Sequence, residues 1–158
     1  MADRPKPMVR LIMIANQATI DADDSVWVLW NPLIRVDLPA GAQAVREPEI
    51  GVYVQLSGGM DRWELAVEFG QRLDSGALRS IASSPSRVLN FGSPDRSVVW
   101  EWGATFRNVP LRTGLYEFRV LGRPADSPDG IGFEVLEGTR HDVPAAAELQ
   151  VREAGGRP

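Results

Sequence analysis

Apolar and polar residues alternate with a period of two along much of the chain, most clearly over residues 63–69. Every second residue of this segment is apolar, and Glu64 and Glu68 stand between the apolar positions. Because successive side chains of a strand point to opposite faces, the segment is predicted to be a β-strand with one buried and one solvated face. Residues 50–56 alternate in the same way, and a Gly-Gly pair follows at 58–59. The two segments are therefore predicted to form a β-hairpin.

Short apolar or alternating runs predict the remaining strands. They lie at residues 9–15, 26–30 with a continuation at 33–36, 87–91, 98–106, 115–121, 131–136 and 149–151. The residues between these runs are rich in Gly, Pro, Asp and Ser, which are turn residues. The best helical candidate, residues 75–83, has room for only one or two turns.

Eight or nine short strands separated by turns are typical of a β-sandwich. The sequence predicts an all-β fold, an antiparallel β-sandwich of the immunoglobulin-like or C2-like kind with little helix. One domain is expected over residues 8–153, with flexible tails at 1–7 and 154–158, because 158 residues suit a single ordinary domain. A turn that leads from Pro110 to Tyr116 also resembles the tyrosine corner of immunoglobulin-like sheets.

Composition narrows the possible functions. The chain has no cysteine, which excludes disulfides and thiolate metal sites. Its net charge is −4, and its 16 arginines and one lysine are scattered, so a nucleic acid is not an expected partner. No apolar run reaches the roughly 18 residues of a membrane-spanning helix, and Arg10 interrupts the N-terminal apolar run. The protein is therefore predicted to have no membrane span and no signal peptide, and to be cytoplasmic.

An ordered series of short segments extends over about residues 8–153. In order, they are the strand end Asn16-Gln17-Ala18-Thr19-Ile20-Asp21, the acidic turn Ala22-Asp23-Asp24, the strand 25–30, the exit Leu38-Pro39-Ala40, the paired region 52–69 and the approach from Pro110 through Gly114 to Tyr116. This order resembles a widespread bacterial family of short β-sandwich proteins of unknown function. The Asp-Gly turn usual in that family is replaced here by Asp23-Asp24. The resemblance implies a β-sandwich fold and implies no activity.

Catalytic constellations do not stand out in the sequence. His141 is the single histidine, and no Gly-x-Ser-x-Gly nucleophile motif accompanies it. Glu64 and Glu68 would lie about 13 Å apart on one strand face, whereas paired glycosidase carboxylates lie roughly 5–9.5 Å apart. The protein is therefore predicted to be no enzyme and to need no cofactor. An unfamiliar site that uses His141 is the least favoured alternative.

Two acidic loops contain candidate calcium ligands. Asp21, Asp23 and Asp24 lie in one loop, and Asp126 and Asp129 lie in the other. Calcium takes about six to eight oxygen ligands, which aspartates from two neighbouring loops of a sandwich can help to supply. Aspartate is also an ordinary turn residue, so a purely structural role is the competing interpretation.

Five tryptophans provide candidate rings for stacking against sugars: Trp27, Trp30, Trp63, Trp100 and Trp102. Trp100 and Trp102 share a face with further apolar residues, which predicts that they lie in the core. Trp27 and Trp30 have opposite parity in their predicted strand, so at least one of them is expected to be exposed. They are the candidate ligand residues, and the competing interpretation is that all five rings are mainly core.

These observations favour a non-catalytic protein-interaction or assembly module that binds an unknown protein partner or associates with itself. Many short strands leave sheet edges that can pair with another strand. A calcium- or carbohydrate-binding β-sandwich module is the alternative function.

Overall fold

The computed structural model describes residues 4–21, 25–128, 131–139 and 145–154, which form eleven strands. They are β1 (Met8–Ile20), β2 (Trp27–Pro32), β3 (Arg35–Leu38), β4 (Ala44–Ser57), β5 (Asp61–Arg72), β6 (Leu78–Ser83), β7 (Arg87–Phe91), β8 (Trp100–Arg112), β9 (Gly114–Pro124), β10 (Glu134–Val135) and β11 (Ala146–Glu153). None of these four stretches contains a helix that is long and apolar enough to cross a membrane.

The strands form two sheets that pack face to face. The first sheet has the order β2-β1-β4-β8, and the second has the order β3-β11-β9-β5-β6. Strand β7 also pairs with β5, and β10 also pairs with β9. The predicted all-β sandwich is therefore confirmed, with eleven strands in place of eight or nine. The second sheet is mixed because β3 and β11 run parallel to each other, contrary to the fully antiparallel prediction.

The core lies between the two sheets and contains the inward side chains of both. Phe106 of β8 faces Phe69 of β5 and Phe118 of β9, with ring centroids 6.0 and 5.7 Å away. Tyr116 stacks on Phe69 at 5.3 Å. The largest fully buried side chains are Trp63, Phe69, Phe91, Phe118, Leu38, Ile50, Leu56, Leu65, Leu111 and Leu149. The alternation in the sequence correctly predicted the inward faces of β5 and β9.

The hairpin predicted around residues 58–59 is wrong. Strand β4 pairs with β1 and β8 in the first sheet, whereas β5 pairs with strands of the second sheet. Gly58, with a φ of 78°, therefore lies in a connection that crosses from one sheet to the other. Alternation determines which face of a strand is buried, and that face is the same for a hairpin and for a crossing between facing sheets.

Two further local predictions are also wrong. The helical candidate at 75–83 is instead a turn followed by β6, which pairs with β5. An open position beside β5 outweighs the weak helical propensity of a segment that short. The strand predicted at 131–136 is reduced to the two residues of β10. Within the predicted range Leu136 is buried, whereas Ile131 and Val135 are 48% and 45% exposed.

The tyrosine corner predicted at Tyr116 is confirmed. The Tyr116 hydroxyl accepts a hydrogen bond from the backbone N–H of Arg112 at 2.9 Å and donates one to the Arg112 carbonyl at 3.1 Å. The hydroxyl therefore satisfies both backbone groups of the residue that ends β8. This fixes the turn between β8 in the first sheet and β9 in the second.

A hairpin arm crosses the outer face of the first sheet. It consists of residues 16–20 of β1 and 27–31 of β2, and we call it the β1–β2 arm. A Cβ atom on Gly51 would lie 2.3 Å from the backbone nitrogen of Ala18, and one on Gly103 would lie 2.4 Å from the ring of Trp27. Glycine at both positions lets the arm lie directly on β4 and β8.

Replacing Gly51 with alanine should therefore destabilise the protein, because the new methyl group meets the backbone of the arm. We expect Gly51→Ala to lower the free energy of unfolding by about 1–3 kcal/mol, the usual cost of overpacking. Gly92→Ala is the matched control, since a Cβ at Gly92 meets nothing within 4 Å. Urea denaturation measures both variants, and equal stabilities would contradict the close approach of the arm.

Candidate functional site

The open edges of the two sheets differ greatly in length. Strand β8 ends the first sheet and has 13 residues, and no strand of the described stretches pairs with its outer side. The other end strands have six residues or fewer: β2, β3, β6, β7 and β10. An unpaired strand presents a row of backbone donors and acceptors that can pair with another strand. Strand β8 is therefore the longest such surface in the described structure.

The end of β8 is protected against pairing, whereas its beginning is not. Asn108 has a φ of 52°, and around it the buried positions change from Trp102 and Phe106 to Val109 and Leu111. Pro110 follows, and it has no N–H to donate to another strand. Residues 100–107 contain no proline and no positive φ. This regular stretch is the candidate site, and we call it the β8 edge.

A cleft of about 310 Å³ lies beside the β8 edge. Residues 102–105 form one wall, and the other is formed by residues 84–86, between β6 and β7, with Arg87, the first residue of β7. Ser84 stabilises this break, because its hydroxyl accepts a 2.9 Å hydrogen bond from the Val67 N–H and its own N–H donates to the Val67 carbonyl. The break leaves space next to β8.

The unpaired half of β1 is covered in a different way. The backbone N–H of Val9 donates to the Glu137 carbonyl at 2.8 Å, and Thr139 donates to the Val9 carbonyl at 3.0 Å. Leu33 donates to the Ile14 carbonyl at 2.8 Å. Neighbouring segments thus satisfy backbone groups on the outer side of β1, in contrast to β8.

The predicted ligand residues Trp27 and Trp30 have different environments. Trp27 packs on the sheet, 5.7 Å from the ring of Tyr53, whereas Trp30 is 56% exposed. Trp63 and Trp102 are buried, and Trp100 packs edge-on against Phe91. The sequence correctly predicted that one of the first two rings is exposed and that the other tryptophans belong mainly to the core.

Trp30 lies in a shallow cleft of about 390 Å³, which we call the Trp30 cleft. Its other lining residues are polar or proline: Asn16, Gln17, Asn31, Glu47, Pro48 and Glu49. Gln17 donates a 3.3 Å hydrogen bond to Glu49, which holds the amide and the carboxylate together. The sequence did not predict this grouping, because its residues come from three separate strands, β1, β2 and β4.

The two candidate calcium ligands within the described residues, Asp21 and Asp126, are not brought together. Asp21 follows the last residue of β1, whereas Asp126 contacts Arg4, which precedes β1. Asp21 and Asp126 therefore lie at opposite ends of that strand. Asp23, Asp24 and Asp129 lie outside the described residues. Within residues 4–21, 25–128, 131–139 and 145–154, no three His, Cys, Asp or Glu side chains are grouped so that they could hold a metal ion.

Arg4 occupies the position between two carboxylates. Its guanidinium donates to Asp126 at 2.6 and 3.0 Å and lies 3.4 Å from Asp61. The hydrogen bonds from Arg4 are the main reason that the pKa of Asp126 falls from 3.8 to about 2. The Asp126 carboxylate is thus already paired with a cation of the protein itself.

The paired glutamates of β5 have partners on the neighbouring strand. Glu64 lies 2.8 Å from Arg123, and Glu68 lies 2.5 Å from Arg119. Hydrogen bonds from Arg123 and Ser86 lower the pKa of Glu64, which favours its charged form. These ion pairs make the outer face of the second sheet a solvated charged surface. His141, the basis of the enzyme alternative, lies outside the described residues.

Comparison with known proteins gives no further assignment. No protein-family model matches the chain, and no curated protein matches its sequence significantly. The resemblance to a bacterial β-sandwich family therefore stays a prediction.

The Arg4–Asp126 pair should be visible in the titration of Asp126. We expect a midpoint near pH 2 by carbonyl NMR, with a shift toward 3.8 in the Arg4→Gln variant. Because the folded-state pKa is lowered, the pair stabilises the fold above the ordinary pKa and loses this contribution as the pH falls toward 2. An Asp126 midpoint near 3.8 in the unaltered protein would contradict the ion pair.

Proposed function

We propose that the protein is a non-catalytic interaction or assembly module that binds another β-strand along the β8 edge. The observation that supports this proposal is the regular open edge of residues 100–107, which lies beside a cleft and ends at the protected residues Asn108 and Pro110. Such edges accept an added strand through main-chain hydrogen bonds. The cytoplasmic location predicted from the sequence belongs to the same proposal.

The side chains of β8 must add to the affinity of the main chain. Each backbone hydrogen bond contributes only about 0.5–1.5 kcal/mol net. Association costs about 4–15 kcal/mol in lost translational and rotational freedom. A ladder of a few bonds therefore roughly offsets that cost. Specific binding at this edge requires matched side chains on the partner strand.

A pair of proline variants tests the use of the edge. Successive N–H groups of a strand point to opposite sides, so of the variants Ala104→Pro and Thr105→Pro one removes an N–H that points toward β4 and the other removes an N–H that points away from β4. The variant that loses the N–H toward β4 should have a strongly lowered melting temperature. The variant that loses the outward N–H should stay folded, apart from some local strain, and lose partner binding.

The measurement is affinity capture from the lysate of the protein's own host, together with sedimentation of the purified chain. A stoichiometric partner or a self-associated form should be present with the unaltered protein and absent with the folded proline variant. Binding that survives in the folded variant would place the interface elsewhere and contradict the proposal.

The Trp30 cleft supports a second candidate function, the binding of a carbohydrate. An exposed indole ring offers a flat apolar face, and the amides and carboxylates around it can hydrogen-bond to sugar hydroxyl groups. The observation that favours this candidate is the 56% exposure of Trp30 next to five amide and carboxylate side chains.

Titration with a panel of oligosaccharides tests this candidate. We expect the indole N–H signal of Trp30 in the NMR spectrum to shift with a bound saccharide, and Trp30→Ala to abolish binding. Val88→Ala, which removes an exposed apolar side chain from the second sheet, is the control and should bind normally. A Trp30 signal that does not shift with any saccharide at millimolar concentration would exclude carbohydrate binding in the Trp30 cleft.

A further inference from the structure

We propose that the strand bound by the β8 edge is the β8 edge of a second copy of this chain, antiparallel and centred on Ala104. The proposal rests on the proposed function and names its partner. In this register Glu101 faces Arg107 of the other copy, and Gly103 faces Thr105. The two first sheets then form one continuous eight-stranded sheet across a two-fold axis.

The charges of the β8 edge determine this register. Glu101 and Arg107 are the only ionisable residues of the stretch 100–107, and they lie at equal distances on either side of Ala104. A two-fold axis through Ala104 therefore places opposite charges against each other twice. Opposite charges directly across an antiparallel pair are stabilising, and like charges are destabilising.

Neighbouring registers lose this match. A two-fold axis perpendicular to the sheet places the outer faces of both copies on the same side of the joined sheet. Residues directly opposite each other must then point to the same face, which holds only when the axis lies between the two copies of one β8 residue. An axis through Thr105 places Arg107 opposite Gly103 and Glu101 opposite Val109. An axis through Gly103 places Arg107 beyond the start of β8, opposite Val99. Only the axis through Ala104 pairs both charges.

The two charged side chains are also available for a partner. The Arg107 side chain is 73% exposed and comes no closer than 3.9 Å to Glu49, its ion-pair partner within the chain. Glu101 is exposed and its carboxylate hydrogen-bonds with the Tyr53 hydroxyl; the pKa of that tyrosine is raised by burial and by this carboxylate. Both charged side chains are exposed to solvent, so each can also face a charge on a partner.

The shape of the edge fits the same register. Residues 103–105 at its centre are small and uncharged, and the cleft lies beside them. Asn108, where the backbone leaves the regular strand conformation, limits pairing on one side. The segment 101–107 therefore pairs with itself over its whole length.

Sedimentation equilibrium of the full chain and its charge variants is the first test. We expect the unaltered protein to form dimers. Glu101→Arg and Arg107→Glu should each raise the dimer dissociation constant about tenfold, because each variant places two pairs of like charges opposite each other in the dimer. The double variant should restore the original constant, since it exchanges the two partners. Arg112→Glu is the control, because it makes the same charge change on β8 outside the paired segment.

A cysteine cross-link gives a second test that does not depend on charge. The chain has no cysteine, so Ala104→Cys introduces a single thiol on the axis. Residues directly opposite in an antiparallel pair have Cα atoms roughly 4.5–5.5 Å apart, within the range of a disulfide. Mild oxidation should convert this variant to a covalent dimer, whereas Thr105→Cys, which is offset from the axis, should react poorly.

The outcomes separate the inference from the proposed function. A monomer at every concentration, single variants without effect, no rescue in the double variant, or a folded dimer of the Ala104→Cys variant that does not cross-link would each overturn the inference. If the chain is monomeric and the folded proline variant still loses a captured partner, the proposed function stands and only the second copy is rejected. If neither dimer nor captured partner is found, both are rejected.

Discussion

The contact of Phe106 with Phe69 and Phe118 is the interaction on which the rest of the structure depends. Strand β8 has a partner strand on one side only, so its backbone alone holds it with half the hydrogen bonds of a central strand. The three rings join β8 to both central strands of the second sheet. Because these ring contacts hold the core-facing side chains of β8, the backbone edge that has no partner strand can keep a regular strand conformation. A binding edge needs this rigidity, since a mobile strand would lose entropy whenever a partner paired with it.

The alternation of side chains predicted much of the fold. It identified the inward faces of β5 and β9 and the buried ring of Trp102, and the resemblance of residues 110–116 to a tyrosine corner predicted the turn that the Tyr116 hydroxyl fixes. It could not assign strands to sheets. Val54 of β4 and Val67 of β5 would be buried whether the two strands paired as a hairpin or lay in two facing sheets, so the pattern does not distinguish these arrangements. The strand at 78–83 shows the same limit. Its side chains are mostly exposed, and only the vacant side of β5 makes it a strand.

The candidate site depends on features that the sequence pattern does not show. Which strand ends a sheet follows from the pairing of all the others, so the open side of β8 could be found only in the folded chain. Gly51 and Gly103 lie within strands, and the arm that crosses them was not predicted from the sequence. The polar residues around Trp30 come from β1, β2 and β4, and their grouping requires that arm to fold back over the sheet. The opposite parity of Trp27 and Trp30 was nevertheless sufficient to indicate an exposed ring.

The parallel pairing of β3 with β11 has a consequence for synthesis of the protein. Val36 pairs with Val151, and Arg152 donates a 3.0 Å hydrogen bond to Asp37, so the two strands are joined across more than a hundred residues. During translation β3 leaves the ribosome long before β11, the strand with which it pairs in the described structure. Non-local pairing of this kind slows folding, because a long loop has to close before any contact forms. The second sheet is therefore completed only after β11 has been translated, and Leu38, which is fully buried in the folded protein, stays exposed to other chains until then.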